Sequence, residues 1–295
     1  MRFAAALALS AAASACSGGG TAVPVSAAKP ARIASVNLGA DEILIELVDP
    51  SRMVAVSRFV DDPALSNAAG KYPPEVVRVT ADLERIVGLR PDLVCANPYN
   101  SADFLDLLRA SGLATFRFDA VTSFEGIEKC ILALGERVGE PARAQSLVAG
   151  MHERLSAVDE RLRGVQKKPR VFYWAAGWTA GRGSTIGELI ERAGALNAAS
   201  EPGSITAGRT GMFELSVEQV VNLDPDVLIR DGRDSLAELP GRELPPQLAQ
   251  MRAVREGRVI SIPGSQLTAI SHHIVEGVEA LARALHPDRF PSGRR

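Results

Sequence analysis

Apolar residues recur along this chain in two rhythms that alternate. Short, nearly continuous apolar runs occupy residues 32–36, 53–57, 92–96 and 114–119. Between them, at 41–47, 83–89 and 102–110, apolar positions fall on one helical face. The runs predict strands covered on both faces, and the intervening segments predict helices. Such alternation predicts βαβ units around a mostly parallel sheet.

The rhythm then changes. Ala144, Leu147, Val148, Met151, Leu155, Val158 and Leu162 follow one another at spacings of three and four. Pro141 opens this stretch, at a position where a helix tolerates proline, and Gly164 and Pro169 close it. About 22 residues rising ~1.5 Å each make a rod of roughly 33 Å, long for a helix inside an α/β repeat and natural as a connector. Beyond it the alternation resumes, with strands predicted at 170–174, 226–230 and 258–262. Helices are predicted at 186–193, 217–223, 247–254 and 272–285. The expected fold class is therefore α/β: two Rossmann-like lobes with mostly parallel sheets, joined by one long α-helix.

The two lobes echo each other. Residues 83–94 match 217–228, so that Glu84 pairs with Glu218, Pro91 with Pro225 and Asp92 with Asp226 at a constant offset of 134 positions. In each copy an Asp or Ser (Asp82, Ser216) stands where a helix N-cap is needed. A proline then ends the helix, and an apolar strand follows. Ligands of open α/β sheets bind beyond the carboxyl ends of the strands, so the cleft between the lobes is the expected pocket.

Composition narrows the class. The chain has 295 residues and a formal net charge of −2, with its basic residues spread throughout, and so carries no footprint for nucleic acid. After the first 16 residues no apolar run approaches the ~18 needed to span a bilayer. The N-terminus reads as an export signal: Arg2, then an apolar Ala-rich stretch, then Ala13-Ser14-Ala15 before Cys16. Cleavage after Ala15 by an ordinary signal peptidase and lipid attachment at Cys16 both fit. A Gly/Ser/Ala stretch follows, as a tether would. The expected layout is a signal peptide at 1–15, a tether at 16–31, lobes at 32–140 and 165–295, and the connecting helix at 141–164. Cys95 and Cys130 lack metal-site spacing and read as buried thiols, with a disulfide left open. Neither a phosphate-binding GxxxxGK[ST] loop nor a GxSxG elbow is present; an exported hydrolase would need a nucleophile–base pair that the sequence does not offer.

From residue 31 to 287 the chain resembles the helical-backbone class of periplasmic substrate-binding proteins, which serve ABC importers of ferric siderophores, vitamin B12 and haem. The resemblance rests on six stretches in order. These are 32–36 with 41–44, 54–57, 82–94, 179–186, 192–197 and 216–220, with the long helix between the third and the fourth. It implies a rigid bilobed receptor without catalysis and without a resident cofactor, monomeric, in the periplasm or cell envelope. Its partners would be a metal-chelate ligand, a membrane permease with its ATPase and, if Cys16 is acylated, the membrane. A haem-binding or sensor lipoprotein of the same fold is the alternative.

The resemblance also marks residues. Glu84 and Glu218 match the two acidic residues, one per lobe, that engage permease arginines; a Glu in the first turn also simply suits the helix dipole. Phe59, Tyr72, Tyr99, Trp174, Trp178 and Phe213 fall near predicted strand ends or in loops, where flat rings would wall a planar chelate, or merely pack; Trp174 and Trp178 lead the expected ligand contacts. Arg58, Arg182 and Arg209 occupy loops of the expected cleft, suited to anionic ligands. His272 and His273 open the last predicted helix, where either is a candidate ligand contact. No metal site is expected, because the first lobe contains no histidine.

Overall fold

The computed structural model describes residues 29–97, 99–118, 121–232 and 246–291. The expected signal peptide, Cys16 and the tether up to residue 28 lie outside the described residues. Lys29, Pro30 and Ala31, read as tether, are instead pinned to the body: Arg52 donates to the Pro30 carbonyl at 2.6 and 2.8 Å, and the Ala31 amide donates to Asp92 at 2.8 Å.

Lobe one runs β1 (Ile33–Ser35), α1 (Leu38–Leu47), β2 (Met53–Ser57), β3 (Val77–Val79), α2 (Leu83–Gly88), β4 (Leu93–Ala96), α3 (Ala102–Ala110) and β5 (Thr115–Arg117). Its five strands are all parallel, in the order β3-β2-β1-β4-β5. The central strands β1 and β4 are wholly buried, which is why they read as unbroken apolar runs. Next come α4 (Phe124–Val138) and α5 (Pro141–Leu162), folded back on each other through Gly139, whose φ of +75° a glycine adopts without strain. Gly135 permits that close packing: a Cβ there would run into the Ala144 methyl.

Lobe two runs β6 (Arg170–Tyr173), β7 (Trp178–Ala180), α6 (Thr185–Arg192), β8 (Leu196–Asn197), β9 (Met212–Glu214), α7 (Val217–Leu223), β10 (Val227–Asp231), α8 (Arg252–Arg255), β11 (Val259–Ile262), α9 (Gly264–Leu267) and α10 (Ile274–Leu285). Its parallel sheet has the order β11-β10-β6-β8, and β7 and β9 form a separate antiparallel pair.

The connector is α5, 22 residues long and starting at Pro141 as the spacing predicts. It is more than a rod. Val148, Met151, Leu155 and Val158 are buried in one apolar cluster that also takes in Ile43, Leu44, Ile131, Ile190 and Leu281, so the lobes share a core. The predicted helix at 247–254 is divided into a 3-10 turn (Pro246–Gln250) and α8. The last helix begins at Ile274, because His272 and His273 belong to the preceding turn. The pair β7 and β9 escapes the sequence reading: three residues are too few to set an alternation apart.

Candidate ligand-binding cleft

The carboxyl edges of the two sheets face each other. The Ser265 amide, just beyond β11, donates to the Ala64 carbonyl, in the loop after β2, at 3.1 Å. The Phe124 amide opening α4 donates to Glu188 of α6 at 2.9 Å. Gly264 lies so close to the end of β10 that a Cβ there would stand 2.9 Å from both Asp231 carboxylate oxygens. These contacts tie together loops that leave strand C-termini, where an α/β sheet offers its ligands a crevice.

A buried polar seam joins the two lobes. Glu42, in the interior-facing part of α1, accepts from Ser271 of lobe two and from both the amide and the side chain of Asn67, at 2.7 and 2.9 Å. Asn67 also donates to the Ser265 carbonyl at 2.6 Å. Buried carboxylates persist where bonded in this way. Next to it, Asp41 is fully buried and receives the Ser57 amide at 3.0 Å; burial lifts its carboxyl well above the usual range, against the bonds from Ser35 and Ser57. The His272 and His273 rings meet at a tilt of 38°, with centroids 4.0 Å apart. Burial and the neighbouring His273 push the His272 imidazole down to about 3, so it is neutral at physiological pH. Among the described residues, no three His, Cys, Asp or Glu side chains converge as metal ligands.

The structure divides the sequence-nominated aromatics. Phe59 is 44% exposed, Trp178 45% and Tyr99 72%. Each stands at or near a strand end, and Arg58 lies over the Phe59 ring, 4.6 Å from its centre. Tyr72, Trp174 and Phe213 are packing residues rather than exposed wall. Tyr72 folds back over α1 and donates its hydroxyl to the Asp41 carbonyl at 2.6 Å. Trp174 follows Phe172 by two positions, so strand alternation turns both into the lobe-two core, where their rings stack 6.5 Å apart. The same alternation on β9 turns Phe213 inward beside Thr179 and leaves Trp178 and Glu214 outward.

Trp178 owes its position to a tight turn. Ala175 and Trp178 exchange backbone bonds of 2.9 Å across Ala176 and Gly177, both with positive φ (+47° and +95°). This is the two-residue hairpin geometry that matches strand twist. Arg209 lies 4.1 Å over the Phe213 ring and donates to the Glu214 carbonyl at 3.1 Å. Arg182 is exposed, while His272 is buried in the seam. Cys95 and Cys130 are both buried.

Glu84 and Glu218 are exposed in the first turns of α2 and α7. Each helix leads into the amino end of the next sheet strand, β4 or β10, so its first turn lies towards the carboxyl edge. The Ser216 hydroxyl, followed by the helix amide, holds the Glu218 carboxyl below the usual range. Sequence reasoning missed Glu42, Asn67 and Ser271, whose meeting joins positions 229 apart in the chain and has no local signature.

The comparisons agree with this architecture. A family model described as "Periplasmic binding protein" matches residues 33–265. A cobalamin-binding protein of Halobacterium salinarum is 28% identical over 272 residues, spanning 88% of this chain and 70% of the relative. An uncharacterized ABC transporter substrate-binding lipoprotein of Bacillus subtilis, YvrC, is 28% identical over 74% of this chain and 71% of its own. Among solved structures, the apo periplasmic haem-binding protein RhuT of Roseiflexus sp. RS-1 superposes with a TM-score of 0.71 at 24% identity, covering 88% of this chain and 98% of that one. Two parallel-sheet lobes meeting at their strand ends, a connecting helix with a shared core, and a family match over most of the sequence lead to one conclusion: the chain belongs to the periplasmic binding protein family.

Proposed function

We propose that this protein is the substrate-binding component of an ABC importer and that it captures a corrinoid in the cleft between its lobes. The carrying observation is the set of exposed rings, Phe59, Tyr99 and Trp178, on loops and strands at the carboxyl edges of both sheets. Flat apolar faces of this kind suit a large, rigid, planar chelate. Of the three nominated arginines, Arg58 and Arg209 are already stacked on phenylalanines, which leaves Arg182 to meet an anion and favours a corrinoid over an anionic siderophore gripped by several arginines. The cobalamin-binding relative, which spans most of the chain, supports the same choice.

The direct test is titration with cyanocobalamin, haemin and a ferric catecholate, followed by absorbance and tryptophan fluorescence. Saturable binding of cyanocobalamin with quenching is expected; binding of haemin or the catecholate alone would reject the corrinoid. Trp178→Ala should weaken binding about tenfold or more, from the loss of one large ring that the bound ligand would cover. The quenching should reside in Trp178, and Trp174→Phe should leave it in place.

Delivery follows from Glu84 and Glu218, one per lobe, reaching arginines on the permease. Exposed ion pairs contribute ~0–1 kcal/mol each but set register and association rate, as a transient contact requires. Changing both to Ala should abolish uptake and leave ligand affinity intact; undiminished uptake would refute the docking role. In this reading the protein works as a monomer held at the membrane by lipid on Cys16. Release of Cys16→Ser into the soluble fraction is the corresponding check.

A further inference from the structure

Both docking helices are short. A helix of six or seven residues is not stable alone, and these have little apolar anchorage: α2 buries only Ile86, and α7 only Val220 and Leu223. Their aim must come from the ends. The N-termini are capped by Asp82 and Ser216. The C-termini are held by a device that the two lobes build alike.

In lobe one, the guanidinium of Arg32, just before β1, donates to the carbonyls of Leu89 and Arg90 at 2.6 and 2.9 Å. In lobe two, Arg170, opening β6, donates to the carbonyls of Leu223 and Asp224 at 3.1 and 2.9 Å. Leu89 corresponds to Leu223 and Arg90 to Asp224 in the 134-residue echo. Arg90 and Asp224 also share a left-handed backbone, with φ of +50° and +35°. Each arginine thus takes up carbonyls that the end of a helix leaves unpaired, at the pole that favours a cation. Each is in turn fixed by its backbone. Asp92 accepts the Arg32 amide at 3.0 Å and donates its own amide back at 2.8 Å. Asp226 and Arg170 exchange the same two bonds, both at 2.8 Å.

We infer that Arg32 and Arg170 are positioning residues for docking: each clips the tail of a helix to the first strand of its lobe and so fixes the direction in which Glu84 or Glu218 points. The helices act as short levers. In a six-residue helix, about 9 Å long, a tilt of ~20° about the tail moves the first turn by about 3 Å, beyond the tolerance of a charge-assisted hydrogen bond. This inference rests on the docking role proposed for Glu84 and Glu218.

The test uses the full protein and the cognate permease–ATPase complex in lipid nanodiscs. Arg32→Ala and Arg170→Ala should keep cyanocobalamin affinity within about twofold, since neither residue lies in the cleft, and should weaken association with the complex by about tenfold. Amide exchange should speed up selectively at 84–90 in the first variant and at 218–224 in the second. Arg32→Lys and Arg170→Lys, which keep the charge but lose the two-carbonyl grip, should fall between wild type and Ala, and they serve if an alanine variant does not fold. In a double-mutant cycle, Arg32→Ala should add little to Glu84→Ala, because both remove one contact. If the glutamate variants weaken association while the arginine variants change neither association nor local exchange, the positioning role is overturned and the docking role stands. If the glutamate variants themselves associate normally, the docking role has failed and this inference fails with it.

Discussion

Arg32 in lobe one works from an exposed position and, among the described residues, grips only backbone, whereas Arg170 in lobe two also holds Glu201 at 2.7 Å and is half-buried. The bond to Glu201 comes first among the causes that raise the Arg170 guanidinium above its ordinary value. The carboxylates behind them differ in the same sense. Asp92 accepts two amides, while Asp226 accepts an amide and the Arg252 guanidinium at 2.7 Å. Burial alone would raise the Asp226 carboxyl, but those two bonds outweigh it and hold it below the usual range. The lobes therefore share one mechanical design with unequal reinforcement. Where an ion-pair network backs the clip, it resists loss of a single bond; where the clip stands alone, it is the element that sets the aim of the helix.

The sharpest way to break the comparison is at the two aspartates. Asp226→Ala strips Arg170 and Arg252 of a shared partner and should cost about 2–3 kcal/mol, against about 1 kcal/mol for Asp92→Ala, in urea unfolding. Equal losses would show that the extra bonds in lobe two contribute nothing.

A second test addresses how the lobes are held together. A Cβ at Gly39 would lie 2.7 Å from the Ile270 carbonyl of lobe two, so backbone must move at the seam. Gly39→Ala should cost about 1–3 kcal/mol and loosen the lobes, seen as faster exchange at 264–274. In the wild type the shared core and seam should keep scattering curves with and without ligand nearly superimposable.

The seam should also respond to acid. The pKa of His272 falls from 6.5 to about 3 on folding, so the unfolded chain takes up a proton first. The stability this group contributes is complete above about 6.5 and is lost as pH falls towards about 3, by roughly 1 kcal/mol per pH unit. Asp41, raised by burial, acts in the opposite sense, because its folded form binds the proton more readily. His272→Gln should therefore flatten the acid limb of a stability–pH curve, and an unchanged slope would exclude His272 as its source.

The smallest effect sharpens the contrast between the helices. Gly88 ends α2 with open space around it and an ordinary helical φ, where α7 has Asn222. Gly88→Ala should stabilise lobe one by about 0.5–1 kcal/mol through a less flexible unfolded chain. It should also slow exchange in α2, bringing it closer to α7.

The sequence alone missed β3, β7, β8, β9 and α4, but it determined the alternation of the longer strands and helices, the α5 connector to its first residue and the duplicated helix–proline–strand unit with Glu84 and Glu218 in equivalent places. These are local properties: apolar spacing, caps and proline act over a few residues. It also nominated Phe59, Tyr72, Tyr99, Trp174, Trp178 and Phe213, led by the two tryptophans, but could not tell exposed rings from packed ones, because every aromatic near a strand end looks alike until the strand's facing is known. Only the tertiary structure decided that Trp174 turns inward on Phe172, and that Trp178 stays outward on a two-residue hairpin. It alone brought Glu42 to Ser271 and Arg32 to the end of α2. Such contacts join residues tens to hundreds of positions apart, and their energy depends on burial and geometry that no local pattern encodes.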